Sequence, residues 1–178
     1  MLEGNNVRLR VREKEDLPLY AEWINNPEFL GEFWFPVQRS RAEMEKSPDT
    51  NPFESKMFII EKKDGTKIGF VIHFNMLHPM AKFLEIGYAL APSERGKGYC
   101  TEAVKLMVDY LFLSKETVCI QALTDIRNID SQKVLRRVGF QREGTIRKRF
   151  FSRGKWVDYC VFSILREEWK EPKILTKT

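Results

Sequence analysis

Hydrophobic and polar residues near the N-terminus follow first a strand pattern and then a helix pattern. Val7–Val11 alternates apolar with polar residues, as a strand with one buried face does. Over residues 15–25 the apolar side chains recur three and four positions apart, which predicts an amphipathic helix. Asn26-Pro27 ends that helix. Ser40 and Glu43 have the spacing of a capping box, which predicts the start of a second, short helix.

The middle of the chain has the pattern of a strand meander. Residues 57–61 and 67–74 flank Asp64-Gly65, a dipeptide that strongly favours a hairpin turn. His78-Pro79-Met80 marks a second turn, and residues 83–90 form a third strand. We therefore expect three consecutive antiparallel strands here.

The second half of the chain alternates helices with strands. The segments are a buried helix at 99–112, a strand at 118–123, a helix at 128–138, strands from Phe140 onward, and a last long strand at Lys155–Leu165. Asn128 or Asp130 caps the second of these helices, and Gly139 follows its end. The order predicts one α/β (α+β) domain over residues 1–170, with a mixed, mostly antiparallel central sheet flanked by helices. Residues 171–178 are expected to form a flexible tail.

Composition narrows the class of protein. The chain has 178 residues, of which 43% are hydrophobic and 31% charged, typical of a single folded domain. No apolar run approaches the roughly 18 residues of a membrane-spanning helix, so no membrane association is expected. Three scattered cysteines and two histidines predict neither a disulfide framework nor a metal site. A reduced, cytoplasmic location is the corresponding expectation.

Positive charge is concentrated in residues 133–155. This segment holds nine basic residues and one acid, giving +8, so the rest of the chain sums to −3 of the overall +5. One interpretation is a solvated basic face; the other is a surface for a partner that carries phosphates or carboxylates. Nucleic-acid binding is the less favoured form of the second interpretation, because the chain has no known DNA- or RNA-binding motif.

The segment with the clearest chemical signal joins a strand to the helix at 99–112. It reads Arg95-Gly96-Lys97-Gly98-Tyr99-Cys100-Thr101. Glycines allow a tight turn and a close approach of backbone N–H groups to a ligand, and a helix N-terminus attracts anions. The two basic residues add positive charge, so a pyrophosphate suits the site. The alternative is a helix start that needs glycines only for its turn; the spacing fits neither a P-loop nor a dinucleotide fingerprint.

Several motifs in order resemble the GNAT superfamily of N-acetyltransferases. They are Glu85-Ile86-Gly87-Tyr88, the Arg95–Thr101 loop with Glu102-Ala103, Asn128 with Ser131, Gly139-Phe140, and Gly154-Lys155-Trp156-Val157-Asp158. The resemblance covers residues 7–169. It looks closest to the branch that contains ribosomal-protein alanine N-acetyltransferases and spermidine acetyltransferases.

The resemblance implies acetyl-CoA as cosubstrate, no metal, and a set of cofactor-binding residues. These are Arg95, Gly96, Lys97, Gly98, Tyr99, Cys100 and Thr101 around the pyrophosphate, Tyr88, Ala89 and Leu90 along the pantetheine arm, Asn128 on that arm, and Ser131 near the thioester sulfur. Cys100 stands where the family usually has glycine or alanine. Because direct transfer needs no acyl-enzyme, a nucleophilic role for this cysteine is not expected.

Aminolysis of a thioester requires a proton acceptor for the amine and a proton donor for the leaving thiolate. For the base we expect Glu85, with Asp158 or a water chain as alternatives. For the acid we expect Ser131, because the helix carries no tyrosine where many relatives have one. Some ribosomal-type relatives have a carboxylate at the position of Phe150, which weakens that substrate assignment.

The acceptor is expected to be a protein N-terminus, a polyamine or another small amine, and a homodimer is possible. The aromatic stretch Trp23, Phe29, Phe33, Trp34 and Phe35, with Glu22, either packs the core or lines the acceptor site. The alternative functions are a non-catalytic CoA-binding sensor and a basic nucleic-acid-binding protein.

Overall fold

A computed structural model describes residues 1–35, 38–46, 55–78, 81–170 and 172. The strands are β1 (Leu2–Glu3), β2 (Val7–Val11), β3 (Lys56–Lys62), β4 (Lys67–His78), β5 (Ala81–Leu90), β6 (Cys119–Asp125), β7 (Gln141–Ser152) and β8 (Lys155–Leu165). The helices are α1 (Leu17–Asn25), α2 (Pro27–Leu30), α3 (Arg41–Lys46), α4 (Tyr99–Ser114) and α5 (Ile129–Val138). Among the described residues, no helix is both long and apolar enough to cross a membrane.

The strands form one sheet in the order β1-β2-β3-β4-β5-β6-β8-β7. Every neighbouring pair is antiparallel except β5 and β6, which run parallel. This confirms the predicted mixed, mostly antiparallel sheet. The parallel pairing spans three residue pairs and ends at Glu85–Gln121. Beyond that point β5 continues along β4 and β6 continues along β8, so the two central strands separate.

Helices cover both faces of the sheet. On one face α4 packs into the main core, where Leu106, Met107 and Leu111 are completely buried, as the apolar pattern of this segment predicts. On the other face α1 and α2 place Trp23 and Phe29 against Phe70 of β4. Burial of each such side chain contributes about 1.5–3 kcal/mol, so the central strands are held firmly between two cores.

The predicted helix caps are present. The Asn128 side chain accepts a hydrogen bond from the Ser131 N–H at 3.1 Å, and Gly139 ends α5 with φ 116°. The Ser40 N–H donates to the Glu43 carboxylate at 2.7 Å, and the Glu43 N–H donates back to the Ser40 hydroxyl at 3.2 Å, which confirms the capping box. Local sequence therefore fixes where these two helices begin.

Several element boundaries differ from the sequence-based expectation by a few residues, and two of these differences have a clear physical reason. β4 was expected to end at residue 74, but it continues through His78, which pairs with Ala81 of β5 and is a strand residue rather than part of a turn. The break at Asn26-Pro27 is present, but a short helix restarts there because the Asn26 side chain accepts from the Glu28 N–H at 2.8 Å. Of the predicted tail, residues 171 and 173–178 lie outside the described part of the chain.

Candidate active site

A cavity of about 440 Å³ opens where β5 and β6 separate. Its wall combines Tyr88 and Cys100, which pack with the α4-side core, and Trp34 and Ala89, which pack with the α1–α2 side. The cavity therefore reaches through the sheet from one face to the other. Its lining is Leu30, Gly31, Glu32, Phe33, Trp34, Tyr88, Ala89, Leu90, Glu94, Arg95, Gly96, Gly98, Tyr99, Cys100, Thr101, Asn128, Asp130, Ser131, Lys133, Val134 and Arg137.

The structure brings eleven of the twelve predicted cofactor-binding residues to this cavity, and Lys97 is the exception. The Lys97 ammonium lies 3.0 Å from the Glu94 carboxylate, and its side chain is half exposed. The Lys97 ammonium therefore forms an ion pair with Glu94 and does not line the cavity.

The glycine loop has the backbone that the anion-site interpretation requires. Gly96 has φ 76° and Gly98 has φ 87°, a region that favours glycine, and Gly98 is the N-cap of the 16-residue helix α4. A Cβ atom at either glycine would meet no atom of the described chain within 4 Å. The backbone is therefore approachable from outside, beside the positive end of a long helix.

The Arg95 side chain lines the cavity and also makes two hydrogen bonds to backbone carbonyls. Its Nε donates to the Leu90 carbonyl at 3.1 Å, and its Nη2 donates to the Phe29 carbonyl at 2.6 Å. The guanidinium thus ties the glycine loop to the end of β5 and to α2. The other basic residues in the lining are Lys133, whose ammonium lies 3.4 Å from the Asp130 carboxylate, and Arg137, both on α5.

Lys133 and Arg137 were not predicted as site residues. They lie four positions apart, and α5 begins at a cap that the sequence did identify. Residues at that spacing share a helix face with Asp130 and Val134, which also line the cavity. The three- and four-residue spacing of Asp130, Lys133, Val134 and Arg137 was therefore the sequence signal that could have identified Lys133 and Arg137 as site residues.

Two hydroxyl groups meet on the cavity wall. The Tyr88 hydroxyl of β5 lies 2.9 Å from the Ser131 hydroxyl in the first turn of α5. Burial raises the pKa of Tyr88 well above its ordinary value, so the phenol stays protonated at any physiological pH. The sequence predicted Tyr88 only as a backbone contact for the cofactor, and this side-chain contact was missed.

Cys100 also lines the cavity and packs against the α4-side core. Burial raises the pKa of its thiol to about 12, and the charge of Arg95 only partly opposes that rise. The thiolate form needed for nucleophilic attack is therefore scarce near neutral pH. Within the described residues all three cysteines are free thiols, and no group of three or more His, Cys, Asp or Glu side chains is placed to hold a metal.

Glu85 lies at the last residue pair of the parallel β5–β6 ladder, beside the cavity but not in its lining. By strand alternation its side chain shares a face with Gly87, and the Trp34 ring comes within 3.8 Å of the Cβ position of Gly87. Burial raises the pKa of the Glu85 carboxyl, and the nearby charge of Arg149 opposes that rise. Glu85 therefore faces the α1–α2 side of the sheet.

Asp158, the second candidate base, has a structural contact. Its carboxylate accepts a hydrogen bond from the Lys148 N–H at 2.8 Å, where the β7–β8 register shifts between Ile146 and Phe150. Lys148 adopts φ 49° at this irregularity. The carboxylate thus satisfies a backbone group that the irregular ladder leaves unpaired.

The aromatic stretch divides between the core and the site. The Trp23 and Phe29 rings stack at 4.9 Å in the α1–α2 core, whereas Phe33 and Trp34 line the cavity. Phe35 packs against Phe150 at 5.0 Å, so an aromatic cluster occupies the position of the absent ribosomal-type carboxylate. Glu22 is exposed.

The chain is similar to known acetyltransferases over most of its length. A model of the acetyltransferase (GNAT) domain matches residues 6–141. The chain is 31% identical to the probable N-acetyltransferase YjcK of Bacillus subtilis (strain 168), with 94% of this chain and 98% of that protein covered. It is 29% identical to the spermidine N(1)-acetyltransferase of Escherichia coli (strain K12), with 91% of this chain and 89% of that protein covered.

Among solved structures, the fold is similar to the crystal structure of spermidine N-acetyltransferase from Vibrio cholerae in complex with CoA and spermine. The TM-score is 0.83 at 23% identity, with 93% of this chain and 99% of that chain covered. For the crystal structure of the acetyltransferase (GNAT family) from Bacillus anthracis, the TM-score is 0.78 at 20% identity, with 93% of this chain and 98% of that chain covered. This likeness shows a shared fold.

Proposed function

Because the chain belongs to the GNAT family of acetyltransferases and is an N-acetyltransferase, we propose that it carries out acetyl transfer from acetyl-CoA to a primary amine at the opening between β5 and β6. The observation that supports this site most directly is a single cavity that joins the glycine loop to the α1–α2 face of the sheet. A cofactor held on one face would thus present its acetyl group to an amine arriving on the other.

The residues around the cavity fit acetyl-CoA. Backbone N–H groups at Gly96, Gly98 and the first turn of α4 would hold the pyrophosphate, with Lys133 and Arg137 adding charge. The backbone of Tyr88, Ala89 and Leu90 has lost β6 as a ladder partner, and would pair with the pantetheine arm as with an added strand. Asn128 and Ser131, also on the wall, would contact the arm near its reactive end.

When bound, acetyl-CoA supplies an activated acyl group with a thiolate leaving group. Ser131 would donate a proton to that leaving group and regain one from solvent water, and the Tyr88 hydroxyl at 2.9 Å would orient it. Orientation of amine and thioester in one cavity can supply about 7–11 kcal/mol of the acceleration.

Glu85 would accept the amine proton through water, since its side chain lies on the acceptor face but outside the cavity lining. A carboxyl whose pKa is raised by burial is a better base, once ionised, than an ordinary carboxyl. Asp158 is less suited to this role because the Lys148 N–H already occupies it.

The acceptor class is proposed from the site and from relatives. A primary amine of a polypeptide N-terminus or of a small molecule such as a polyamine fits the part of the cavity that Phe33 and Trp34 line. The family relative from Escherichia coli is named for spermidine acetylation.

The test is calorimetry with CoA followed by a thiol-release assay with acetyl-CoA and a panel of peptides, polyamines and amino sugars. We expect saturable CoA binding and release of free CoA that depends on an amine. In the Ser131→Ala variant turnover should fall by a much larger factor than CoA affinity. An absence of any heat of CoA association in the intact protein would contradict the proposal.

A further inference from the structure

The β7–β8 hairpin, residues 141–165, is strongly basic. It contains six basic and two acidic residues: Arg142, Arg147, Lys148, Arg149, Arg153, Lys155, Glu143 and Asp158. Both acids are engaged within the hairpin, Glu143 with the Ser163 hydroxyl and Asp158 with the Lys148 N–H. Across the described ranges, none of the six basic side chains is in an ion pair. Their positive charge is therefore available to a partner.

This charge lies beside the acceptor side of the cavity. The Arg153 guanidinium donates to the Gly31 carbonyl at 2.9 Å, and Gly31 lines the cavity. Phe150 of the hairpin packs against Phe35, which follows the cavity-lining residues Phe33 and Trp34. Arg149 is close enough to Glu85 to oppose the effect of burial on that carboxyl. An amine that approaches the thioester from the α1–α2 face must pass these cations.

Negative groups on the same side do not balance the hairpin. Glu32 is exposed, and Glu85 is half-buried. The Asp125 carboxylate is held by the Arg127 guanidinium at 2.6 Å, so this acid is already neutralised. Among the described residues, the acids that line the cavity each have a basic neighbour: Glu32 lies 4.0 Å from Arg127, Glu94 3.0 Å from Lys97 and Asp130 3.4 Å from Lys133. The charge of the hairpin therefore leaves the local field positive.

We infer that the acceptor is the amino terminus of a polypeptide whose first residues are acidic, with the carboxylates following the amine held against Arg149, Arg153 and Lys155. This inference rests on the proposed function and names the substrate class of the same site. A polycation such as spermidine would meet like charge on the same path. A terminal amine followed by carboxylates would be drawn in, and a surface of one sign raises encounter rates by about 10- to 1,000-fold.

The first experiment compares acetylation of three peptides of equal length that begin with the same residue. The next three residues are acidic in one peptide, their uncharged amides in the second, and basic in the third; spermidine is the fourth acceptor. We expect kcat/KM for the acidic peptide to exceed that of the neutral peptide by about tenfold at low salt. The preference should shrink in 0.5 M salt, because screening lengths fall below about 5 Å.

The second experiment neutralises the hairpin with Arg149→Gln and Lys155→Gln together. The expected result is a loss of about tenfold in kcat/KM for the acidic peptide, with CoA affinity unchanged. The neutral peptide reports any effect of Arg149 on Glu85, so the loss for the acidic peptide is measured relative to the loss for the neutral one. A matched double neutralisation of exposed lysines elsewhere, Lys56→Gln with Lys170→Gln, should leave the peptide preference as it was.

The outcomes separate this inference from the proposed function. If no amine is acetylated, both are overturned. If amines are acetylated but spermidine or the basic peptide is preferred, the proposed function stands and the acidic-acceptor inference is overturned. The hairpin also exposes Phe151 and Trp156, on which the bases of a single-stranded oligonucleotide could stack. If such an oligonucleotide binds the hairpin and the three peptides are acetylated equally well, the acidic-acceptor inference is again overturned while the proposed function stands.

Discussion

The hydroxyl oxygen of Tyr88 lies 2.9 Å from that of Ser131, so two residues 43 positions apart, one on a strand and one on a helix, present their hydroxyls at one wall of the cavity. The Asn128 side chain fixes the first turn of α5 by accepting from the Ser131 N–H. The serine is thus positioned by its own helix cap on one side and by a protonated phenol on the other.

Removing the Ser131 hydroxyl should lower kcat much more than removing the Tyr88 hydroxyl. Ser131→Ala removes the proton donor, and we expect a loss of about 100-fold in kcat. Tyr88→Phe removes one hydrogen bond worth about 1 kcal/mol, and we expect about a fivefold loss. The double variant should be no worse than Ser131→Ala, because both hydroxyls act through one contact.

Steady-state kinetics with acetyl-CoA and the best acceptor measures these three variants. Ser114→Ala is the control, since it removes a hydroxyl that bonds only to the Tyr110 carbonyl in the last turn of α4. Independent, additive losses for Tyr88→Phe and Ser131→Ala would show that the two hydroxyls do not work as a unit.

Gly98→Ala tests the glycine loop. Gly98 has φ 87°, where an L side chain costs about 1–2 kcal/mol, so the loop must shift and its N–H groups with it. We expect CoA affinity to fall at least tenfold by calorimetry. Gly144→Ala is the matched control, because a Cβ there meets no described atom within 4 Å and its φ is not positive. Equal CoA affinities for the two variants would show that the backbone of the glycine loop does not bind CoA.

Much of the fold could be predicted because its signals are local. The caps at Asn128, Gly139 and Ser40 act within a few residues, and periodicity identified the helices and strands around them. The end of β4 was missed because it depends on pairing: His78 stays extended as the partner of Ala81 across the sheet. A strand end of this kind is decided by the neighbouring strand rather than by local composition.

The site was predictable where backbone conformation defines it and not where side chains from distant elements meet. The Gly96 and Gly98 loop follows from residue type. The Tyr88–Ser131 contact and the bonds from Arg95 to Phe29 and Leu90 depend on how β5, α2 and α5 pack. The structural contact of Asp158 depends on a ladder irregularity that has no sequence signature here.

Cys100 should be dispensable for transfer. With a pKa of about 12, only about one thiol in ten thousand is ionised at pH 8. We expect Cys100→Ala to keep kcat within about threefold, and intact-protein mass spectrometry after incubation with acetyl-CoA alone to show no acetylated enzyme. An acetyl group mapped to Cys100 that transfers on addition of amine would establish a covalent route instead.

The pH dependence of kcat/KM should have an acid limb set by Glu85. Burial raises the pKa of this carboxyl above its ordinary 4.5, so activity should rise with pH through that higher value as the base ionises. Glu85→Gln should lose about 100-fold in kcat at neutral pH and should lose the limb. Arg149→Gln should move the acid limb to higher pH, because the positive charge of Arg149 lowers the pKa of Glu85. Arg149→Lys keeps that charge and should leave the limb near its wild-type pH.

As pH rises, the contribution of Glu85 to the free energy of unfolding should fall, whereas its contribution to activity should rise. A folded-state pKa above the unfolded value means that the folded state binds the proton more tightly, so this group lowers stability as pH rises from the unfolded toward the folded pKa. Above that window Glu85→Gln should therefore unfold at the same temperature as wild type or a higher one. A variant that is both less stable and unchanged in its pH–rate profile would identify Glu85 as a structural carboxylate and leave the amine proton to water.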